Sequence, residues 1–387
     1  MPTSARDSLE LALDAIERHD SAINGMITVT ADQARAAADE ADRAAADGQW
    51  LGLLHGMTMA IKDNIQTAGV RTTSGSLHFK DVVPNQDAFV IQRLHAAGAV
   101  IVGKATMQEL AFGIRSDNPV SGQCHNPWDL TRVPGGSSGG SGAVVAAGMA
   151  QAALGTDTGG SIRLPAAMNG VAGLRPTHGR VPNHGSTPVS VSYDTIGPMA
   201  RHVSDLARIL AVTASEVPGA APMTGPDLGN FLPTLNDGVA GLRIGIPGNF
   251  YFDNCDDEIA EAVMTAVRTL EAQGAKLIEV DVAEAETTHQ WATIQVYSDA
   301  CAYHKERLDS HPELFSKGVL DRMLVGRTFT GVDYADACRA REAWQRTLAA
   351  LYQDIDVLAS PTTPAPPPPI IEDKSLLEAT KDASRNT

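Results

Sequence analysis

Pro134-Gly-Gly-Ser-Ser-Gly-Gly-Ser-Gly142 and Gly155-Thr-Asp-Thr-Gly-Gly-Ser-Ile-Arg163 concentrate glycine and hydroxyl side chains beyond any packing need. Glycine costs conformational entropy, so a folded chain gathers it where the backbone takes strained dihedrals or approaches a ligand closely. The two clusters flank an apolar run, Ala143 to Leu154, whose small residues suit a tightly packed helix. That reading places a buried helix between two glycine loops and marks the stretch as a reaction centre.

Working outward, apolar segments alternate in period. Met57-Thr-Met-Ala-Ile61 reads as a short buried strand that delivers Lys62, Asp63 and Asn64 at its end, followed by a helix over 88–97 and a strand over 99–102. Leu242 to Ile246, 257–273 and Lys276 to Val282 read as a βαβ unit, with Ile259, Val263, Val267 and Leu270 on the inner face of its helix. Before these, residues 5–19, with Leu9, Leu11, Leu13 and Ile16, and 31–46 read as two helices. Residues 284–350 read as mainly helical, and Asp356 to Ala359 as a strand entering a proline run. The fold class is α/β, a mixed β-sheet core covered by helices on both faces. A single domain over 1–387 is expected, with a helical segment 1–50, a catalytic core 51–212, a Pro- and Gly-rich linker near 213–238, and a βαβ plus helical portion 239–365.

Composition narrows the function. With 387 residues and 43% hydrophobic content the chain supplies a sizeable core, and a net charge of −16 argues against a grip on nucleic acid. The four cysteines, Cys124, Cys255, Cys301 and Cys338, form no C-x-x-C pair, so free thiols are expected and a zinc site is not. No run reaches the length of a membrane span and no secretory leader precedes the first helix, which reads as a cytoplasmic protein without a membrane partner. No metal and no cofactor are expected; a homodimer is compatible with the sequence.

A serine hydroxyl needs a neighbouring base to become a nucleophile. Ser161 follows Gly159-Gly160, whose amides can turn inward as an oxyanion hole, Ser137 sits in the other cluster, and Lys62 at a buried strand end can act as a neutral base. Each has a bland alternative, since most Gly-Ser loops are linkers and most strand-end lysines are solvated. Neither cluster has a phosphate-loop pattern. His55, His125 and His178 lie near the motifs, so spacing leaves a Ser-His-Asp arrangement open, although no G-x-S-x-G elbow is present.

Taken together, Gly52-Leu-Leu-His-Gly-Met-Thr-Met-Ala-Ile-Lys-Asp-Asn64, His125-Asn-Pro-Trp-Asp129, the two glycine clusters, Gly173-Leu-Arg-Pro-Thr-His-Gly-Arg180, Asp194-Thr-Ile-Gly-Pro198 and Asp356 to Pro364 resemble the amidase signature family of serine hydrolases. The resemblance implies Ser161 as nucleophile, Ser137 as bridging serine after a cis Gly136–Ser137 bond, and Lys62 as base. It implies oxyanion donors from the backbone of Thr158, Gly159, Gly160 and Ser161, with Ser138, Asp157 and Arg163 in support. The substrate would be a small amide or carbamate, cleaved through an acyl-enzyme without nucleic acid or membrane. The family also includes the A subunit of glutamine-dependent tRNA amidotransferases, but Gln295-Val-Tyr-Ser-Asp-Ala-Cys-Ala-Tyr303 replaces the segment those proteins carry, which favours a free-standing amidase. Met107, Phe112, Trp128 and Tyr193 are candidate pocket walls. Family members usually continue past a segment like Ala383-Ser-Arg-Asn-Thr387 into further strands, which are expected to be absent here.

Overall fold

Ser4 caps the first helix, α1 (Ala5–Ile23), by accepting a hydrogen bond from the Asp7 amide, and Asn24 ends it in the left-handed conformation. Leu9 and Ile16 are buried along one stripe, whereas Leu11, two residues and about 200° round the helix from Leu9, is 57% exposed. Strand β1 (Met26–Val29) leads into α2 (Ala31–Ala46), which buries Ala34, Ala38 and Ala41. Spacings of four and three put these small side chains on one face, so α1 and α2 approach closely.

The computed structural model describes residues 4–214 and 230–370. They fall into two compact units, Met1–Leu228 with Lys305–Leu320, and Gly229–His304 with Asp321–Thr387. Most of the interval 213–238 read as a linker, and everything past 370 including the expected loss of C-terminal strands, lies outside the described residues.

The first unit continues with β2 (Thr58–Lys62), α3 (Phe89–Ala96), β3 (Val100–Ala105), the short pair β4 (Asp117–Asn118) and β5 (Gly122–Gln123), α4 (Gly139–Ala146), β6 (Ala152–Asp157), α5 (Arg163–Met168), β7 (Ala172–Gly173), β8 (Thr195–Ala200) and α6 (Val203–Thr213). Six strands form a mixed sheet in the order β1-β3-β2-β6-β8-β7. β2 lies parallel to β3 and to β6, while β8 runs antiparallel to β6.

Alternation along the strands sends side chains to two separate cores. Ala60, Val100, Val102 and Ala153 pack with α1, α2 and α4, whereas Met59, Ile61, Ile101, Ala152 and Leu154 pack with α3 and α6. The sheet is therefore covered on both faces. A register shift between Met59 and Ala60 against β3 falls at Gly103, where a Cβ would sit 2.1 Å from the Thr28 carbonyl of the neighbouring β1.

One helix reading is corrected. The run from Ala143 to Leu154 is two elements, because α4 starts inside the glycine cluster at Gly139, stops at Ala146, and the chain re-enters the sheet as β6. Gly148 takes a left-handed φ of 74° just past the helix end, the turn that separates them. A run that is apolar but for Gln151, and buried along most of its length, has no periodicity with which to tell helix from strand.

The second unit pairs β9 (Arg243–Pro247) in parallel with β10 (Lys276–Val280) across α7 (Asp257–Ala272), and adds β11 (Val357–Leu358) to the other edge of β9. Asp356, one residue before β11, binds the Arg243 guanidinium at 2.8 Å. The helical stretch resolves into α8 (Thr288–Tyr303), α9 (Lys305–Ser310), α10 (Lys317–Gly326) and α11 (Gly331–Leu351), the last opened by a Thr330/Asp333 capping box. Within the first unit, Phe315 packs on His78 and the Arg307 guanidinium lies over the Phe79 ring, which fixes the segment 305–320.

Candidate active site

β2 and β6 run side by side in the same direction at the centre of the sheet, so their C-terminal ends bring Lys62 and Thr156 together. Lys62 is fully buried. Its Nζ lies 2.7 Å from Ser137 Oγ, 2.7 Å from Thr156 Oγ1 and 3.4 Å from the Thr156 carbonyl. Burial drives the ammonium down to about 7, opposed in part by the charges of Asp194 and Asp157. In the neutral amine two N–H bonds reach Thr156 and the remaining lone pair faces the Ser137 hydroxyl.

Ser137 stands just before α4, and the Gly136–Ser137 peptide bond is cis, as the resemblance implies. The glycines around it serve close approach. A Cβ on Gly140 would lie 2.3 Å from the Thr106 carbonyl, so only glycine lets α4 begin against the chain that leaves β3. Ser116 Oγ donates to the Gly135 carbonyl at 2.8 Å and accepts the Gly139 amide at 2.9 Å, fixing the loop on both sides of the serine pair.

Ser138 joins the parts. Its hydroxyl donates to the Thr156 carbonyl at 3.1 Å and accepts the Thr156 amide at 3.2 Å, and its own amide donates to the Ser161 carbonyl at 3.2 Å. Ser161 follows β6 and is 9% exposed, with a hydroxyl that makes no hydrogen bond among the described residues. Gly159 beside it is exposed and a Cβ there would meet nothing within 4 Å, so the site opens to solvent at this point.

Asp157 organises the loop that carries Ser161. Its Oδ1 accepts the Gly160 amide at 2.8 Å and Arg163 Nη2 at 2.9 Å, and its Oδ2 accepts the Ile162 amide at 3.1 Å. Arg175 Nη1 reaches the same carboxylate at 2.9 Å. Burial favours the neutral acid, but the hydrogen bond and charge of Arg163 and the charge of Arg175 outweigh it and hold Asp157 well below the usual carboxylate range. The Gly160 amide, one of four expected oxyanion donors, is therefore committed to Asp157. The amides of Thr158, Gly159 and Ser161 donate to no group among the described residues.

The other expected residues lie elsewhere. His55 accepts the Leu51 amide, while His125 and His178 bond the carbonyls of Leu130 and Val191. Met107 is fully buried, Phe112 nearly so, and Trp128 is 75% exposed with its indole N–H on the Asn169 carbonyl. The Tyr193 carbonyl accepts from Arg175 Nη2. A cavity of about 400 Å³, lined by Trp50, His55, Gln151, Arg201 and Arg208 among others, opens where β2 and β6 begin, at the opposite end of these strands from the serines.

Three groups have positions that motif reading did not anticipate. Thr156 holds Lys62, and Arg175 braces Asp157. Behind Lys62, the buried Lys104 ammonium lies 3.5 Å from Asp63 Oδ1, while Asp63 Oδ2 accepts the Thr73 amide and hydroxyl. Burial brings Lys104 down to about 8 and raises the Asp63 carboxyl. Period-two spacing from Lys104 and the fixed Thr-Asp pair in Gly155-Thr-Asp-Thr158 were the available signals, but only the sheet register turns them into contacts.

No helix among the described residues is long and apolar enough to cross a membrane. The chain is 39% identical to the A subunit of the glutamyl-tRNA(Gln) amidotransferase of Halorhodospira halophila, over 94% of this chain and 80% of the relative. Its fold superposes at a TM-score of 0.90 and 36% identity on a chain from a vestigial protein complex linked to the origins of an s-triazine catabolic enzyme, covering 95% of this chain and 80% of that one. It superposes at 0.85 and 32% identity on a solved amidase, covering 99% and 86%. The sequence profile of the Amidase family matches residues 7–386, and with the mixed sheet and the clustered serines the chain belongs to that family, the enzymes that hydrolyse amide C–N bonds.

Proposed function

We propose that the chain hydrolyses the C–N bond of a small amide with Ser161 as nucleophile, Ser137 as proton relay and Lys62 as base. The observation that carries this reading is the 2.7 Å approach of the buried Lys62 amine to Ser137 Oγ. A base whose pKa sits at about 7 is half neutral at physiological pH, which suits general-base catalysis.

Neutral Lys62 takes the Ser137 proton as Ser137 takes that of Ser161, and Ser161 Oγ forms a bond to the carbonyl carbon. The electron pair displaced onto the carbonyl oxygen is met by the uncommitted amides of Thr158, Gly159 and Ser161, each well-placed donor being worth roughly 3–4 kcal/mol. The C–N bond breaks, Ser137 passes a proton to the departing nitrogen, and Lys62 returns to neutral. Water then attacks the Ser161 ester through the same relay and releases the acid.

Release of amine from a panel of aliphatic and aryl amides, ureas and carbamates, without ATP or tRNA, tests the reading. Ser161→Ala is expected to abolish turnover, and a sulfonyl fluoride to label Ser161 in the wild-type chain. Full activity of Ser161→Ala overturns it.

A second reading, the glutamine-hydrolysing component of a tRNA-dependent amidotransferase, is favoured by the 39% identity to the Halorhodospira halophila protein over most of both chains. The Gln295 to Tyr303 segment speaks for the free-standing enzyme. Amide cleavage that appears only with partner proteins, ATP and aminoacylated tRNA decides for the second reading.

A further inference from the structure

Asp157 grips the nucleophile loop through the amides of Gly160 and Ile162, but nothing on Asp157 reaches the front of the loop at Thr158. Gly159 has no side chain and its amide binds nothing among the described residues, so the loop between Asp157 and Gly160 has one side-chain anchor, the Thr158 hydroxyl. That hydroxyl donates to Asp194 Oδ1 at 2.5 Å. Asp194 is 8% exposed, and its Oδ2 accepts the amides of Val189 at 2.8 Å and Ser190 at 3.1 Å. Burial raises the Asp194 carboxyl, and the three donors converging on its two oxygens oppose that by favouring the ionised form, which accepts only.

The residue is itself held from both sides. Its carbonyl accepts Asn183 Nδ2 at 2.6 Å, and Thr195 Oγ1, one residue on, donates to the Asp157 carbonyl at 3.2 Å. The segment it gathers also reaches the lysine motif, because Asn64 Nδ2 donates to the Thr187 carbonyl at 3.2 Å and Asn64's own carbonyl accepts the Thr187 amide.

We infer that Asp194 is a positioning residue that latches the oxyanion loop, fixing the Thr158 hydroxyl with one oxygen and the Val189 and Ser190 amides with the other. The segment 183–193 and the backbone donors beside Ser161 then form one rigid piece. The inference rests on Ser161 being the nucleophile. It explains why a carboxylate is buried in a place where, among the described residues, it touches no arginine side chain at ion-pair distance: its work is geometric, on neutral donors. Its charge has a second effect, since Asp194 together with Asp157 opposes the lowering of Lys62 by burial. Lys62 and Arg175 are the cations whose charge acts on Asp194 in return.

The rate at which phenylmethanesulfonyl fluoride labels Ser161, measured against pH, tests the latch without a known substrate. In that reaction Ser161 Oγ bonds to sulfur, fluoride leaves, and the serine proton passes through Ser137 to Lys62. Thr158→Val and Asp194→Asn are each expected to lower the plateau rate ~10-fold or more, the scale of a small misplacement of reacting groups. Thr158→Ser, which keeps the hydroxyl, is expected to label close to the wild-type rate. The double variant Asp194→Asn/Thr158→Val should be no slower than Asp194→Asn, and Asp194→Asn should move the midpoint of the pH dependence below the wild-type value of about 7 while Thr158→Val leaves it in place.

Multiplicative losses in the double variant, an unmoved midpoint in Asp194→Asn, or wild-type labelling of Thr158→Val overturns the latch. If Asp194→Asn does not fold, the contrast between Thr158→Val and Thr158→Ser decides. Absence of Ser161 labelling in the wild-type chain, by contrast, removes the proposed function itself.

Discussion

Among the described residues Lys62 has no carboxylate at bonding distance, and that choice of partners is what leaves a basic amine half neutral near pH 7. Thr156 offers its hydroxyl and carbonyl to the two N–H bonds and the Ser137 hydroxyl meets the lone pair, so neutral groups surround the amine, desolvation wins and it titrates at about 7. Under the proposed mechanism the neutral form is the active one, so activity is expected to rise with pH through about 7 and then level off, measurable as the acid limb of kcat/KM. Lys62→Ala should cost ~10²–10⁴-fold in the labelling rate of Ser161, the usual contribution of a positioned base. Asp157→Asn removes the anion between two arginines and should lower stability by about 3 kcal/mol, the low end for a buried pair because the Arg163 side chain is 46% exposed. Equilibrium urea unfolding checks it. Most of these residues were legible as motif positions. Their pKa values were not, because a lysine at a strand end titrates normally or abnormally according to what covers it.

The elements around the site separate two uses of glycine that look alike in the chain. Gly140 allows α4 to touch the Thr106 carbonyl, and Gly140→Ala is expected to destabilise by about 3 kcal/mol through overpacking. Gly159 has open space where its Cβ would be, so Gly159→Ala should change stability by less than about 0.5 kcal/mol. Side-by-side urea melts of the two variants test the distinction. Helices with a polar face were readable from period, as α1 and α7 are, and with α7 so was the βαβ unit. The run 143–154 was not, because α4 and β6 are buried all round and offer no amphipathic signal.

At the scale of the molecule, the parallel course of β2 and β6 places the serines at one end of these strands and the 400 Å³ cavity at the other. Five residues of β2 put about 16 Å between them. Arg201→Ala in that cavity is therefore expected to label at the wild-type rate, and a marked loss would mean that the far end feeds the chemistry. The chain by itself determined the class of fold, the family and the three residues proposed for catalysis, because each sits in a local motif whose residue types the chemistry demands. Tertiary structure alone decided which groups surround them. Thr156 against Lys62, Arg175 against Asp157, Asp194 against Thr158 and the Gly160 amide turned to Asp157 all join residues through strand register or loop closure, and a hydrogen bond across a sheet leaves no trace in sequence spacing.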